Sequence, residues 1–224
     1  MTPRARDRAR KQAKRPIVLL FGESTNDTTA IKQLIEALCP GLEGCVEPRK
    51  QPQIHLKQVP LDKMPGRIEK ILKQIRLEVD REILCIFVHE DCDAVEPADE
   101  AAATTIENGF KDSGYRVHAV TPAWEIESWW LQWPEQVSAV RSSWAAPNKY
   151  IGKQVGRITD AKEELDRLVR PSDAKPAFLG YRESDSEAIA GRIKQDEVAR
   201  APKATSASYQ RFMRDVDECC PTAS

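Results

Sequence analysis

From Pro16 to about residue 120, short apolar runs alternate with stretches of helical spacing, and that alternation confines the chain to architectures built on parallel βαβ units. Residues 17–21 read as a buried strand. Thr28 or Thr29 then opens a helix whose apolar positions Ile31, Leu34, Ile35 and Leu38 recur at helical spacing, and Pro40 with Gly41 stops it. A loop over 40–53 leads to a second, more exposed strand at 54–59. Ile68, Ile71, Leu72 and Ile75 repeat the helical spacing, and 83–88 is the most apolar run, a central strand. An Ala-rich helix from Pro97 to about Lys111 and a fourth strand at 115–120 complete the pattern. Beyond Trp133 helical stretches around 160–170 and 186–200 are broken by Pro, Ser and Gly, with no further strong strand. The expected architecture is α/β: a four-stranded parallel sheet flanked by helices, with a C-terminal helical extension. The divisions are a basic, disordered tail over 1–15, a core over 16–133 and an extension over 134–224 packed on that core.

The chain has 224 residues, ample for a hydrophobic core, and no apolar run long enough to span a bilayer. Its first fifteen residues carry seven basic groups (Arg4, Arg6, Arg8, Arg10, Lys11, Lys14, Arg15) against one acid, Asp7, while the whole chain nets −1. The body is therefore acidic and the tail basic. A basic arm attracts phosphate backbones by counterion release, although solvated termini often have the same composition. With no apolar stretch before a cleavage site, the tail does not read as a secretory signal, and a cytoplasmic location is expected. Cys39, Cys45, Cys85, Cys92, Cys219 and Cys220 show no disulfide framework or paired zinc signature, and Cys85 reads as a small buried hydrophobe. With histidines only at 55, 89 and 118, a histidine-rich metal site is not expected.

The acids are the most informative residues. Glu23 follows the first strand and Asp27 lies one helical turn later; Glu90, Asp91 and Asp93 follow the third strand; Glu125 and Glu127 follow the fourth. Open parallel sheets bind ligands at the carboxyl ends of their strands, so these groups share one rim. Any one of them could be an ordinary helix cap. Gathered together they repel unless a cation intervenes, and oxygen donors in this number suit Mg²⁺ or Mn²⁺.

A Glu after the first strand, an Asp-x-Asp after the third and a four-stranded parallel core resemble the Toprim fold of topoisomerases, primases and the overcoming-lysogenisation-defect nucleases. More narrowly, Glu125-Ile126-Glu127-Ser128-Trp129, Gly180-Tyr181-Arg182-Glu183-Ser184, Ile189-Ala190 and the run from Ser206 to Phe212 resemble the bacterial Toprim family called domain of unknown function 4276, over residues 16 to about 216. The resemblance implies that Glu23, Asp27, Asp91, Asp93 and Glu127 hold metal, that Glu23 also acts as general acid or base, and that Lys162 matches a later catalytic lysine. Ser24 stands where the family usually has Gly, and the second acid is Asp27 where the family has Glu. It further implies a metal-dependent nuclease that hydrolyses phosphodiesters in DNA or RNA, in the manner of defence nucleases. Relatives are frequently encoded with an ATPase, so a partner ATPase is expected, and the alternative is a non-catalytic or conditionally active subunit docked on one. A small-molecule phosphotransferase would need a Walker-type glycine loop that is missing here.

All five tryptophans (Trp124, Trp129, Trp130, Trp133, Trp144) fall within 124–144. Sealing the sheet to the helical extension is the favoured role, with base stacking the rival, and Trp130 is the one expected to be exposed.

Overall fold

The computed structural model describes residues 15–50, 56, 59, 60, 62–175 and 177–221. Four parallel strands, β1 (Ile17–Phe21), β2 (Val46–Arg49), β3 (Ile83–His89) and β4 (Val117–Val120), form one sheet in the order β2-β1-β3-β4. Helices α1 (Thr25–Leu38), α2 (Met64–Glu78) and α3 (Ala98–Phe110) link the strands; α4 (Glu127–Trp130), α5 (Pro134–Ser138), α6 (Ala161–Val169), α7 (Ser186–Gln195) and α8 (Ala207–Cys219) follow. The expected α/β class, with an all-parallel sheet and a C-terminal set of helices, is what the chain adopts.

Side chains alternate across the sheet, so each strand feeds two cores. Ile17, Leu19 and Phe21 of β1 join Ile86 and Val88 of β3 under α2 and α3. Val18 and Leu20 join Cys85 and Phe87 on the opposite face, against α1 and the C-terminal helices. This second cluster runs unbroken from β1 to Val216, so the extension is the sheet's cover. Four tryptophans build the junction: Trp129, Trp130, Trp133 and Trp144 are buried, and their indole N–H groups donate to Ser208 Oγ, Ser186 Oγ, Val198 O and Leu179 O at 2.9–3.2 Å. Trp130, expected to be exposed, is fully buried, because Ser186 of α7 gives its N–H a partner inside the core.

Two local readings are corrected. The edge strand β2 lies at Val46–Arg49, inside the stretch read as loop, while most of the expected strand at 54–59 falls outside the described residues. Pro48 lacks an N–H and is tolerated because β2 is an edge strand, paired only with β1. Helix α1 begins at Thr25, three residues before the expected start, because Ser24 caps it: its Oγ accepts the Asp27 N–H at 3.1 Å.

The cysteine reading is also corrected. Cys39, at the end of α1, is bonded to Cys220, and Cys85 of β3 to Cys219, with Cα–Cα separations of 5.9 and 6.1 Å. Adjacent cysteines at the end of α8 thus fasten it to both α1 and the central strand. Cys45 and Cys92 remain as thiols. Titrating unfolded, unreduced protein with a thiol reagent is expected to count these two and, after reduction, all six; six at the outset would remove the cross-links.

Candidate metal centre

Strand order sets the position of the site. From β1 the chain passes through α1 to β2 on one side, then returns through α2 to β3 on the other, so the connections diverge at the boundary between β1 and β3. Open parallel sheets bind ligands in the crevice at such a divergence, outside the carboxyl ends of the strands. Asp27, in the first turn of α1, and His89 and Asp91, at and just after the end of β3, meet there with one donor atom each, all within 4.8 Å of one another.

Each member is held by its surroundings. Asp27 is buried, its Oδ2 accepts the Ser24 hydroxyl at 2.6 Å, and its own N–H returns to Ser24 Oγ, so one serine both caps α1 and orients the carboxylate. His89 is fully buried, and neither ring nitrogen has a hydrogen-bond partner; Nε2 stands 3.4 Å from Asp91 Oδ1. The imidazole reaches this position because Gly22 follows β1: a Cβ there would lie 3.3 Å from His89 Nδ1 and 2.6 Å from Thr28 Cγ2. Burial alone would lower the His89 pKa, but the negative charges of Asp91, Asp27 and Glu23 outweigh it and raise the pKa above the ordinary value. Positive charge is therefore favoured in this crevice.

A second rank of acids lies beside the first. Burial, with the charges of Asp91 and Glu163, pushes the Glu125 carboxyl up to about 7. Burial pushes Glu127 up to about 8, helped by Glu125 and Asp91 and opposed by the Tyr181 hydroxyl, which donates to Glu127 Oε1 at 2.8 Å. Tyr181 in turn contacts Ser186 Oγ at 2.6 Å, and Ser186 takes the Trp130 N–H. Glu127 begins α4 and Glu125 stands two residues before it, next to where the loops after β3 and β4 are bound together: Asp93 N–H donates to Trp124 O and Trp124 N–H to Ala94 O, at 3.0 and 2.7 Å. Both Asp93 and Trp124 adopt positive φ, 53° and 61°. An aspartate takes that conformation readily and a tryptophan at a cost.

Against the sequence-based expectations, Asp27 and Asp91 come together and Glu23, half-buried in the loop after β1, lies near enough for its charge to act on His89. Asp93 is exposed and stands outside the group of three; Glu127 also stands outside it, turned to Tyr181. Lys162, in the first turn of α6, pairs with Glu183 and feels the charges of Glu125 and Glu127, which help to raise its pKa. Arg15 is exposed, and Arg4, Arg6, Arg8, Arg10, Lys11 and Lys14 lie outside the described residues. His89 is the member of this group that the sequence reading missed. Its signal was position: it ends the most buried strand, directly before Glu90-Asp91.

The donor set fits a divalent cation: a buried imidazole without a hydrogen-bond partner faces two carboxylates. An imidazole among the donors departs from the all-oxygen shell that Mg²⁺ prefers. Comparison with protein-family models, with curated proteins and with solved structures finds no match.

Proposed function

We propose that the chain is a metal-dependent nuclease of Toprim type, with its centre at Asp27, His89 and Asp91. The observation that carries the reading is the convergence of these three at the divergence point of a parallel sheet, with Glu23, Glu125 and Glu127 beside them. A divalent cation held there supplies Lewis-acid polarisation of a phosphodiester oxygen and lowers the pKa of water. Around it, the half-buried Glu23 carboxylate accepts the proton of the attacking water, and Asp27, locked by Ser24, keeps its donor fixed. Lys162 Nζ, paired with Glu183, is the nearby cation that can turn to a phosphate oxygen. The imidazole counts against Mg²⁺ as the resident ion. Among the described residues no helix is long and apolar enough to cross a membrane, and a nucleic-acid substrate fits action in the cytoplasm, in a defence system working with a partner ATPase, where Cys39–Cys220 and Cys85–Cys219 would have to resist a reducing environment.

The direct test is incubation of purified protein with plasmid, single-stranded DNA and tRNA in Mn²⁺ or Mg²⁺, beside an Asp27→Ala, Asp91→Ala variant. Cleavage that needs the metal and both acids supports the reading; no cleavage of any substrate, with or without the ATPase, or cleavage indifferent to the variant, contradicts it.

The basic tail enters as an affinity device. Deleting residues 1–15 is expected to leave the melting temperature nearly unchanged and to reduce the slope of log affinity against log salt by ~0.9 for each duplex phosphate that the tail would otherwise neutralise. An unchanged salt series would remove that role.

A further inference from the structure

A second group of mixed donors lies away from the crevice, between the sheet and the C-terminal helix. Glu107 of α3, His118 of β4 and Asp215 of α8 bring one donor atom each within 4.8 Å of the others. His118 is only 6% exposed, its Nδ1 faces Asp215 Oδ1 at 3.6 Å, and its Nε2, also buried, has no hydrogen-bond partner. Asp215 Oδ2 is likewise buried without one. A buried carboxylate oxygen left unsatisfied is costly and calls for an explanation; the ring nitrogen turned to Asp215 is Nδ1, so Nε2 is not the donor counted here. Phe87 stacks on the imidazole with ring centroids 5.4 Å apart and fixes its plane, while Glu107 Oε1 accepts the Ala119 N–H at 3.1 Å and is held toward β4.

We propose that Glu107, His118 and Asp215 form a second metal site, for zinc, that clasps α8 to α3 and β4. One imidazole and two carboxylates make a borderline donor set, and three protein ligands with a water in the fourth position is a common zinc arrangement. Donors on a tetrahedral zinc at about 2.0–2.2 Å stand roughly 3.4 Å apart. The His118–Asp215 pair, at 3.6 Å, is already near that spacing, and Glu107 offers a carboxylate oxygen within 4.8 Å of both. Of the three, Glu107 also lines a cleft of about 380 Å³ between α3 and α8. The site ties α8 to the consecutive elements α3 and β4, nearly a hundred residues earlier in the chain, so its role is structural: binding energy at such a site is folding energy.

Zinc could also enter the crevice, so the test is made in an Asp91→Asn background. Metal-stripped protein is titrated with ZnCl₂ by calorimetry, bound zinc is counted after dialysis, and melting is followed with and without the ion. One equivalent and a rise in melting temperature are expected with Asp91→Asn alone; adding Asp215→Asn, or separately Glu107→Gln, should weaken binding at least tenfold and abolish the rise. The histidine ring signals of His118 should shift with the first equivalent. Two carboxylate variants guard against one that fails to fold, since either alone decides the question. Undiminished zinc binding in either folded variant, or no bound zinc in the parent, overturns the proposal.

Discussion

Replacing Asp91 by asparagine is expected to lower metal-dependent cleavage by at least ~100-fold while leaving the metal-free protein as stable as the parent or more so. Asparagine keeps the shape and removes one negative charge from a crevice that also holds Asp27 and Glu23, so repulsion in the absence of metal falls. The loss of charge beside His89 offsets part of this gain, because Asp91 is among the groups that favour its protonated form. Asp93→Asn is expected to cost much less activity, since Asp93 is exposed and outside the group. A structural role for Asp91 predicts the reverse pattern, a loss of about 1 kcal/mol or more with activity retained. Apo melting temperature and initial cleavage rate, measured on the same samples, separate the two.

Glu127→Gln is expected to stabilise the metal-free protein at alkaline pH and to do little near pH 4.5. Burial raises the Glu127 carboxyl from an ordinary value of 4.5 to about 8. Between those values the folded chain holds a proton that the unfolded chain has released, so stability falls as pH rises through this window. Glutamine cannot ionise and keeps an oxygen for the Tyr181 hydroxyl, so the variant should lose that part of the slope. The difference at pH 8 is on the order of 2–4 kcal/mol. Denaturant melts at pH 5, 6.5 and 8 measure it; parallel stability curves for parent and variant would show that Glu127 is ionised throughout.

Much of the scaffold was legible because it rests on local spacing. Strands β1, β3 and β4 are apolar runs bounded by polar loops, and Ile68, Ile71, Leu72 and Ile75 mark the buried face of α2. The β2 strand was not legible: Val46–Arg49 has one buried apolar residue and a proline, and only pairing with β1 makes it a strand. Helix α8 does carry a local signal, since Tyr209, Phe212, Val216 and Cys219 repeat at helical spacing, although the helical stretches expected from the sequence stop short of it. The acids were found because parallel sheets place their functional loops at one edge. Which of them converge depends on strand order and on Gly22, and neither can be read from spacing. His89 was hidden by its apolar strand, and the two disulfides join residues 181 and 134 positions apart, beyond any local pattern.

If Asp27, His89 and Asp91 hold a divalent cation, they do so through an imidazole nitrogen. Pulsed electron paramagnetic resonance of bound Mn²⁺, recorded in the Asp215→Asn protein so that only the crevice contributes, tests it most directly. One bound Mn²⁺ with ¹⁴N modulation from a histidine ring, lost in His89→Gln, is expected. Bound Mn²⁺ without nitrogen coupling, or a signal unchanged by His89→Gln, would contradict it.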